Sequence, residues 1–386
     1  MNEARDILRR LAQYGVLDVP EVAARLSTGL DGFVARWERE TLPFIAAGGS
    51  ELRFVEGPYG RGKTHFLQVL ETHARRAGFV TARVGTDAKP FAALQDTYRQ
   101  VARAMTASAA GNNAHCGLAH LLAGLNAEQL ATFQQTARGN PGFRNLITAY
   151  ARRVQAGRVD EPVTHDLRAL LMHDTNRRVT FGELFRLDRQ LPRPLGRLGK
   201  RNAAVWLRSL LTLPRQLGFK GLVVLFDETG ADLHLRPEPL RARQQHMANL
   251  RNLVDHLATG GIPGCSVVYA TTNDFIQMAF EDYPAMWQRV ARLEETSPFA
   301  EPPRNPRAVW CRLDELTEPS PAESDFFLEL GGKLLELGSE AGVSQTRLAF
   351  ARKNLPGFSE EMSGNITQGA VRQFIKRMAN EILRND

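Results

Sequence analysis

The sequence predicts an α/β protein whose parallel sheet is interrupted by an all-helical insertion and followed by a C-terminal helical region. Three observations predict it. Glu51-Leu-Arg-Phe-Val-Glu is a short strand pattern that passes through a glycine-rich loop into an apolar-periodic helix beginning at Lys63. Gly221-Leu-Val-Val-Leu-Phe is an unbroken apolar run, as expected of a parallel strand buried on both faces, and it ends in Asp227-Glu228. Cys265-Ser-Val-Val-Tyr-Ala is a further buried strand that ends in the polar Thr271-Thr272-Asn273-Asp274.

In chain order, residues 2–14 and 20–47 read as two amphipathic helices separated by Val19-Pro20, making 1–50 an N-terminal helical segment. Residues 51–107 hold the first part of the core: the glycine-flanked strand, the Lys63–Arg76 helix, a β-branched strand at 79–85 and a helix from about Phe91 to Ala107. Between 108 and 200 the strand signal vanishes, and short helices near 118–125, 127–137, 143–155, 167–173 and 181–191 are punctuated by Gly-Asn-Pro-Gly and by Pro192, Pro194, Gly196 and Gly199. The core resumes over 201–300, and 301–386 reads as helical after a linker marked by Pro302, Pro303 and Pro306.

The chemistry concentrates in Phe54-Val-Glu-Gly57-Pro58-Tyr59-Gly60-Arg61-Gly62-Lys63-Thr64-His65, where Gly57 precedes Gly62-Lys63-Thr64 by four intervening residues. This is the phosphate-binding loop pattern in its strand-to-helix setting. Gly57, Gly60 and Gly62 are expected to take positive φ and let the backbone approach a polyphosphate, with N–H groups and the helix N-terminus aimed at its oxygens. Lys63 adds a positive charge near the β and γ phosphates, and the Thr64 hydroxyl is a ligand for Mg²⁺. Asp227, at the end of its strand, is expected to hold that Mg²⁺ through water and Glu228 to polarise an attacking water, with a buried strand that merely stops at two solvated acids as the alternative. Thr272 or Asn273 reaches the γ-phosphate or that water from the neighbouring strand, with a plain helix N-cap as the competing reading. The cofactors expected are therefore ATP and Mg²⁺.

Charge adds a regional signal. The chain carries +7 overall, while residues 138–220 hold 17 Arg and Lys against six Asp and Glu. A basic excess confined to one region fits a surface for phosphate backbones, here DNA, with a merely solvated surface as the alternative. Aromatic residues in it are sparse, so a base-stacking platform is not expected. Residues 314–340 carry eight acids against one base, Lys333, which marks an acidic face. The cysteines Cys116, Cys265 and Cys311 are an odd number without metal-ligand spacing and read as free thiols, and no zinc pattern is found among the nine histidines. No run approaches membrane length, and the amino terminus reads as a charged amphipathic helix and not a signal sequence, so a cytoplasmic protein without a membrane partner is expected.

An acid pair on one strand, a polar tip on the next and a basic helical tail resemble the additional-strand P-loop ATPases of the AAA+ type. More narrowly, Leu52 to Leu67, Leu217 to Glu228 and Tyr269-Ala-Thr-Thr resemble the BREX-type ATP-binding proteins, BrxC and BrxD, of bacteriophage-defence islands. Thr229-Gly230 departs from the acidic continuation expected after Asp227-Glu228. The resemblance implies an ATPase that acts with DNA and with defence-system partners such as a helicase. It also implies a homo-oligomer, in which Arg289 or Arg292 is presented to a neighbour's γ-phosphate, with the alternative that they solvate a helix or bind the acidic face at 314–340. On the last helix, Arg372 is the candidate basic group to reach back to the nucleotide, with plain surface charge as the alternative. The rival readings are a nucleotide-gated switch or scaffold that recruits a partner with little turnover, and a small-molecule kinase, against which Glu228 argues.

Overall fold

A strand buried on both faces needs apolar side chains at consecutive positions, which the sequence supplies at 222–226 and, interrupted by Ser266, at 265–270, whereas 50–56 interleaves Leu52, Phe54 and Val55 with Glu51 and Arg53. In the computed structural model these become β1 (Ser50–Glu56), β5 (Leu222–Phe226) and β6 (Cys265–Thr271). Residues 3–16, 19–58, 62–85, 91–107, 115–227, 240–272, 283–290, 309–316, 323–363 and 369–384 are described. Along β5, Leu222, Val224 and Phe226 enter one core while Val223 and Leu225 enter the other. Cys265, Val267 and Tyr269 of β6 alternate in the same way with Val268 and Ala270. This period-two division is why neither run shows polar alternation.

With β2 (Val80–Val84), β3 (Met105–Ala107), β4 (His115–Cys116) and β7 (Trp310–Arg312), the strands form one seven-stranded sheet in the order β4-β3-β2-β5-β6-β1-β7. Pairings β2–β5, β5–β6, β6–β1 and β1–β7 are parallel. In-register pairs Val84↔Phe226 and Glu56↔Thr271 bring the carboxyl ends of β2, β5, β6 and β1 to one edge. The sheet is therefore mostly parallel, with β6 inserted between β1 and β5.

Three sequence expectations are corrected here. The expected 91–107 helix stops early: helix α6 covers Leu94–Ala104, and Met105–Ala107 turns into β3, antiparallel to β2, with β4 antiparallel beyond it. A two- to three-residue edge strand is too short to carry a periodic signal, so the short β4 lies in the 108–200 region where the sequence shows helix patterns alone. For the same reason β7 was hidden in a region read as wholly helical, although Trp310 and Cys311 face the two opposite cores. Lastly, the expected helix over 20–47 is broken: α2 (Pro20–Leu26), α3 (Asp31–Arg36), a π-helical turn at Trp37–Thr41 and α4 (Leu42–Ala46) follow one another, with Gly29 at φ 75° and Pro43 in the first turn of α4.

One face of the sheet is covered by α3, α4 and the long α5 (Lys63–Arg76). The other is covered by α6, α7 (Leu118–Ala123), α8 (Ala127–Thr136), α9 (Pro141–Gln155), α10 (Pro162–Leu171), α11 (Phe181–Leu187) and α12 (Ala203–Gln216), joined by α13 (Leu240–Ala258). Tyr98, Phe143 and Trp206, from α6, α9 and α12, meet in edge-to-face pairs with centroids 5.2–6.4 Å apart, so the central helices share the core of the sheet. A third core joins the ends of the chain. Leu8 and Leu11 of α1 (Glu3–Tyr14) and Val22 and Leu26 of α2 pack with α16 (Glu323–Glu340), α17 (Gln345–Ser363) and α18 (Ala370–Leu383). Two short helices, α14 (Pro284–Val290) and α15 (Leu313–Leu316), complete the described elements.

Arg153 on α9 illustrates how some of the regional basic charge is used. It is 7% exposed and bonds Glu161, Asp188 and Thr164. Substituting Arg153→Met would leave Asp188 without its cation and Glu161 with only Arg158, 3.9 Å away. Because Glu161 is half exposed, we expect a loss of about 2–3 kcal/mol by denaturant unfolding, below the usual ~3–5 for a fully buried pair. A loss under ~0.5 kcal/mol would contradict the structural role.

Candidate functional site

The carboxyl edge of the parallel strands gathers the predicted residues. Gly57 follows directly on β1, and its N–H donates to the Thr271 carbonyl at 3.1 Å, fixing the start of the loop to the tip of β6. Gly62 is the residue before α5 and sits at φ 91°, with open space where a Cβ would lie. The demand there is on backbone conformation, which L-residues meet at a cost. Gly57 differs from the expectation. It is not among the positive-φ glycines, and a Cβ on it would meet Leu313 and Lys63 at ordinary contact distance of 3.5 Å.

Lys63 opens α5 and is 4% exposed. Its ammonium donates to the carbonyls of Gly57 at 2.7 Å and Pro58 at 2.9 Å, so the lysine bridges the loop. Two carbonyls satisfy part of a buried cation's demand, and an anionic oxygen is the stronger partner for it. Thr64, next on the helix and exposed, donates its hydroxyl to Asp227 Oδ1 at 3.1 Å. Asp227 is 3% exposed and its N–H donates to the Val84 carbonyl at 2.9 Å, which sets the carboxylate just beyond β5. A hydroxyl and a carboxylate in contact offer hard oxygen donors, the kind Mg²⁺ takes in company with water and phosphate. Among the described residues no group of three or more His, Cys, Asp or Glu could hold a metal ion, so these two oxygens fit a shared metal and not a protein-only cage.

His65 is partly buried, and its desolvation, together with the charge of Lys333, pushes its imidazole down to about 4. Lys333, on α16, donates to the Ser27 carbonyl, the Thr28 hydroxyl and Glu329. A C-terminal helix thus sets a cation close to the first turn of α5. Thr272 is partly exposed just beyond β6. Tyr59, Gly60, Arg61, Glu228, Asn273 and Arg292 lie outside the described residues. Arg289 is on α14, exposed, and its guanidinium grips Asp255 of α13 through Nε at 2.5 Å and Nη2 at 3.2 Å, a pairing that raises its pKa. Arg372 is exposed at the start of α18 and crowds Gly15 at the end of α1, beside Lys376. The structure therefore brings Gly57, Pro58, Gly62, Lys63, Thr64 and Asp227 together, whereas it sets Arg289 against Asp255 and Arg372 against the N-terminal helix.

One residue of the site escaped the sequence reading. Glu56, the last residue of β1, is 4% exposed and accepts the Trp310 indole N–H at 2.8 Å. Trp310 in turn packs edge-on against Trp287 of α14 at 6.1 Å. Burial raises the Glu56 pKa above the ordinary carboxylate value, with the nearby Asp314 and Glu315 adding to the rise, and the Trp310 bond and Arg312 opposing it. The only signal in the sequence was an acid abutting the glycine loop, and its partner was the unrecognised strand β7.

A carboxyl whose folded pKa is raised contributes stability at low pH that is lost as pH rises through that value. Glu56→Gln removes the titration and retains an acceptor for Trp310. The variant should unfold at a higher temperature than the wild type at neutral pH, and the difference should close as pH falls towards ~4, where the native residue is protonated. A difference independent of pH would show that Glu56 is not the group responsible.

The chain matches the protein family described as BREX system ATP-binding protein BrxC/D over residues 2–122 and 194–385. No curated protein and no solved structure matches it. The matched segments carry the glycine loop, Lys63, Thr64, Asp227 and the C-terminal helices, while 123–193 falls outside them. This chain belongs to the BREX system ATP-binding protein BrxC/D family.

Proposed function

We propose that the protein is a Mg²⁺-dependent ATPase of a phage-defence system, acting on or with DNA, and that residues 57–64 are its phosphate-binding loop. The observation that carries this reading is the contact between Thr64 Oγ1 and Asp227 Oδ1 at 3.1 Å. It unites the loop helix with an acid-ended strand two positions away in the sheet, across β6. A serine or threonine after the loop lysine, paired with a strand-end aspartate, is what a Mg-nucleotide site needs. Thr64 and Asp227 would hold the metal, which would supply positive charge to offset that developing on the phosphate oxygens.

The protein's own groups take the remaining roles. Backbone N–H groups at the start of α5 face the phosphates, and Lys63 leaves the Gly57 and Pro58 carbonyls for the β and γ oxygens. Glu228, one residue beyond Asp227, accepts the proton of the attacking water as its oxygen bonds to the γ-phosphorus and the bridging bond to ADP breaks. Thr272, or Asn273 beside it, holds that water or the γ-phosphate. The C-terminal helices act as a lid, a reading supported by Lys333 of α16 near His65.

Assembly into a homo-oligomer would supply a neighbour's arginine to the γ-phosphate. Arg289 has first to leave Asp255, so the isolated subunit is a slow catalyst. That pairing is also what favours the second reading, a nucleotide-gated scaffold that recruits a helicase or other partner and turns over little.

The two are separated by one set of measurements. Glu228→Gln should bind Mg-ATP with affinity within about twofold of wild type while turnover falls ~10²-fold or more, since the carboxylate acts on the water. Lys63→Ala should lose nucleotide binding itself. Turnover per subunit should rise with protein concentration in the wild type and stay flat in Arg289→Ala. Equal loss of binding and turnover in Glu228→Gln would reject its role as base, and negligible wild-type turnover at every concentration would favour the scaffold.

A further inference from the structure

We infer that residues 178–201 form a rigid basic surface that grips the sugar-phosphate backbone of duplex DNA without stacking on bases. This deepens the proposal that the protein acts on DNA and rests on it. The 17 basic residues of 138–220 are not equivalent once folded. Arg153 is buried between two acids, Arg177 holds Asp166 at 2.5 Å, and Arg152 bonds Gln134 at 2.7 Å. Arg153's charge is spent inside the fold and Arg177's is paired at the surface, while Arg152 stays exposed beside a neutral amide. Arg178, Arg189, Arg193, Arg197, Lys200 and Arg201 are all exposed, and among the described residues none of the six is in an ion pair. Of the acids within this stretch, Asp188 is committed to Arg153, and Glu183 lies near Arg186.

The six are carried on a pinned scaffold. Leu191, Leu195 and Leu198 are buried, each set between exposed cationic positions, so the irregular segment after α11 is anchored at short intervals. Its backbone is tied down as well: Gly196 N–H donates to the Gly142 carbonyl at 3.0 Å, and Asn145 donates to the Pro194 carbonyl at 2.9 Å. Asn202 donates to the Arg197 carbonyl at 2.9 Å. A Cβ at Gly196 would come within 2.6 Å of Trp206 and 2.9 Å of Gly142, which shows how closely the segment lies on the helices. Cations held on a fixed backbone lose less freedom on binding than cations on a loose loop.

The aromatic residues decide what kind of nucleic acid fits. Arg193 lies over Phe185 at 4.1 Å, Arg197 over Phe181 at 5.2 Å, and Arg197 also donates to the Val179 carbonyl. These contacts bring the two halves of the stretch together. They also cover the rings that a single strand would need for base stacking, leaving the guanidinium edges to meet phosphates. A duplex, with its higher charge density and stacked bases, is the partner that such a surface fits. Arg178, Arg189 and Arg193 lie outside the matched family segments, while Arg197, Lys200 and Arg201 fall at the start of the second one.

The test compares the wild type with Arg178→Gln/Arg189→Gln/Lys200→Gln/Arg201→Gln, which leaves both stacked arginines in place. Fluorescence anisotropy with labelled duplex DNA, and with a single strand of the same length, is followed across salt concentration. If about five of the six residues meet phosphates, log K for the duplex should fall against log salt with a slope of roughly −4 to −5. The variant's slope should shrink to about −1 to −2, with at least a tenfold loss of affinity at low salt and unchanged unfolding and nucleotide binding. Wild-type binding to the duplex that the variant retains would overturn this surface and leave the DNA reading standing. No wild-type binding would remove both. Tighter binding of the single strand would overturn the backbone-only grip, and a variant altered in sedimentation but not in DNA binding would identify the surface as a protein contact.

Discussion

A hydroxyl-to-carboxylate contact between residues 163 positions apart is what the remaining architecture serves. Thr64 can meet Asp227 only if α5 starts at the carboxyl edge of the sheet and β5 ends there. The parallel register delivers both: Glu56 pairs with Thr271, and Phe226 with Tyr269, so that β1, β6 and β5 terminate together. Burial on both faces is what allows such a register to be specified, because a one-residue slip would exchange the two apolar cores. Asp227 stays oriented because its own N–H is held by Val84 and its side chain by Thr64. A carboxylate this buried depends on such partners.

The same edge is braced from outside the loop. Glu56 receives the Trp310 N–H, Trp310 packs on Trp287, and Leu313 lies against Gly57. Consequently β7 and α14 are mechanically continuous with the first residues of the glycine loop. Arg289, which α14 carries, is tied to α13, so a rearrangement that frees it passes next to the Trp287–Trp310 pair. On the opposite side, α16 brings Lys333 near His65 while gripping the carbonyl of Ser27. The loop is thereby flanked by elements from the middle and the end of the chain.

Much of the core was legible in the sequence because its signals are local and redundant. The Gly57-to-Thr64 spacing, the β5 run ending at Asp227 and the Lys63–Arg76 helix each follow from a few contiguous residues. What was missed depends on partners distant in sequence. The strand at Trp310–Arg312 has only three residues and owes its existence to pairing with β1. Glu56 gains meaning from Trp310, and Lys333, visible as the single base in an acidic stretch, gains it from Ser27, Thr28 and His65. Regional charge was legible as a sum but not as a surface. Arg153 and Glu161 read as ordinary solvated residues until packing pairs them, whereas the cations around 189–201 stay exposed because buried leucines fix the backbone beneath them.

The central claim, that Thr64 and Asp227 together hold the divalent ion of a bound nucleotide, is open to one direct measurement. Mn²⁺ substitutes for Mg²⁺, and its free aqueous ion is seen by electron paramagnetic resonance, so titration with and without ATP counts the metal bound. The account predicts that the wild type takes up one Mn²⁺ only when ATP is present, and that Thr64→Val and Asp227→Asn each weaken this uptake by about tenfold or more while nucleotide still binds. Mn²⁺ uptake with ATP that is the same in wild type and in both variants would contradict it.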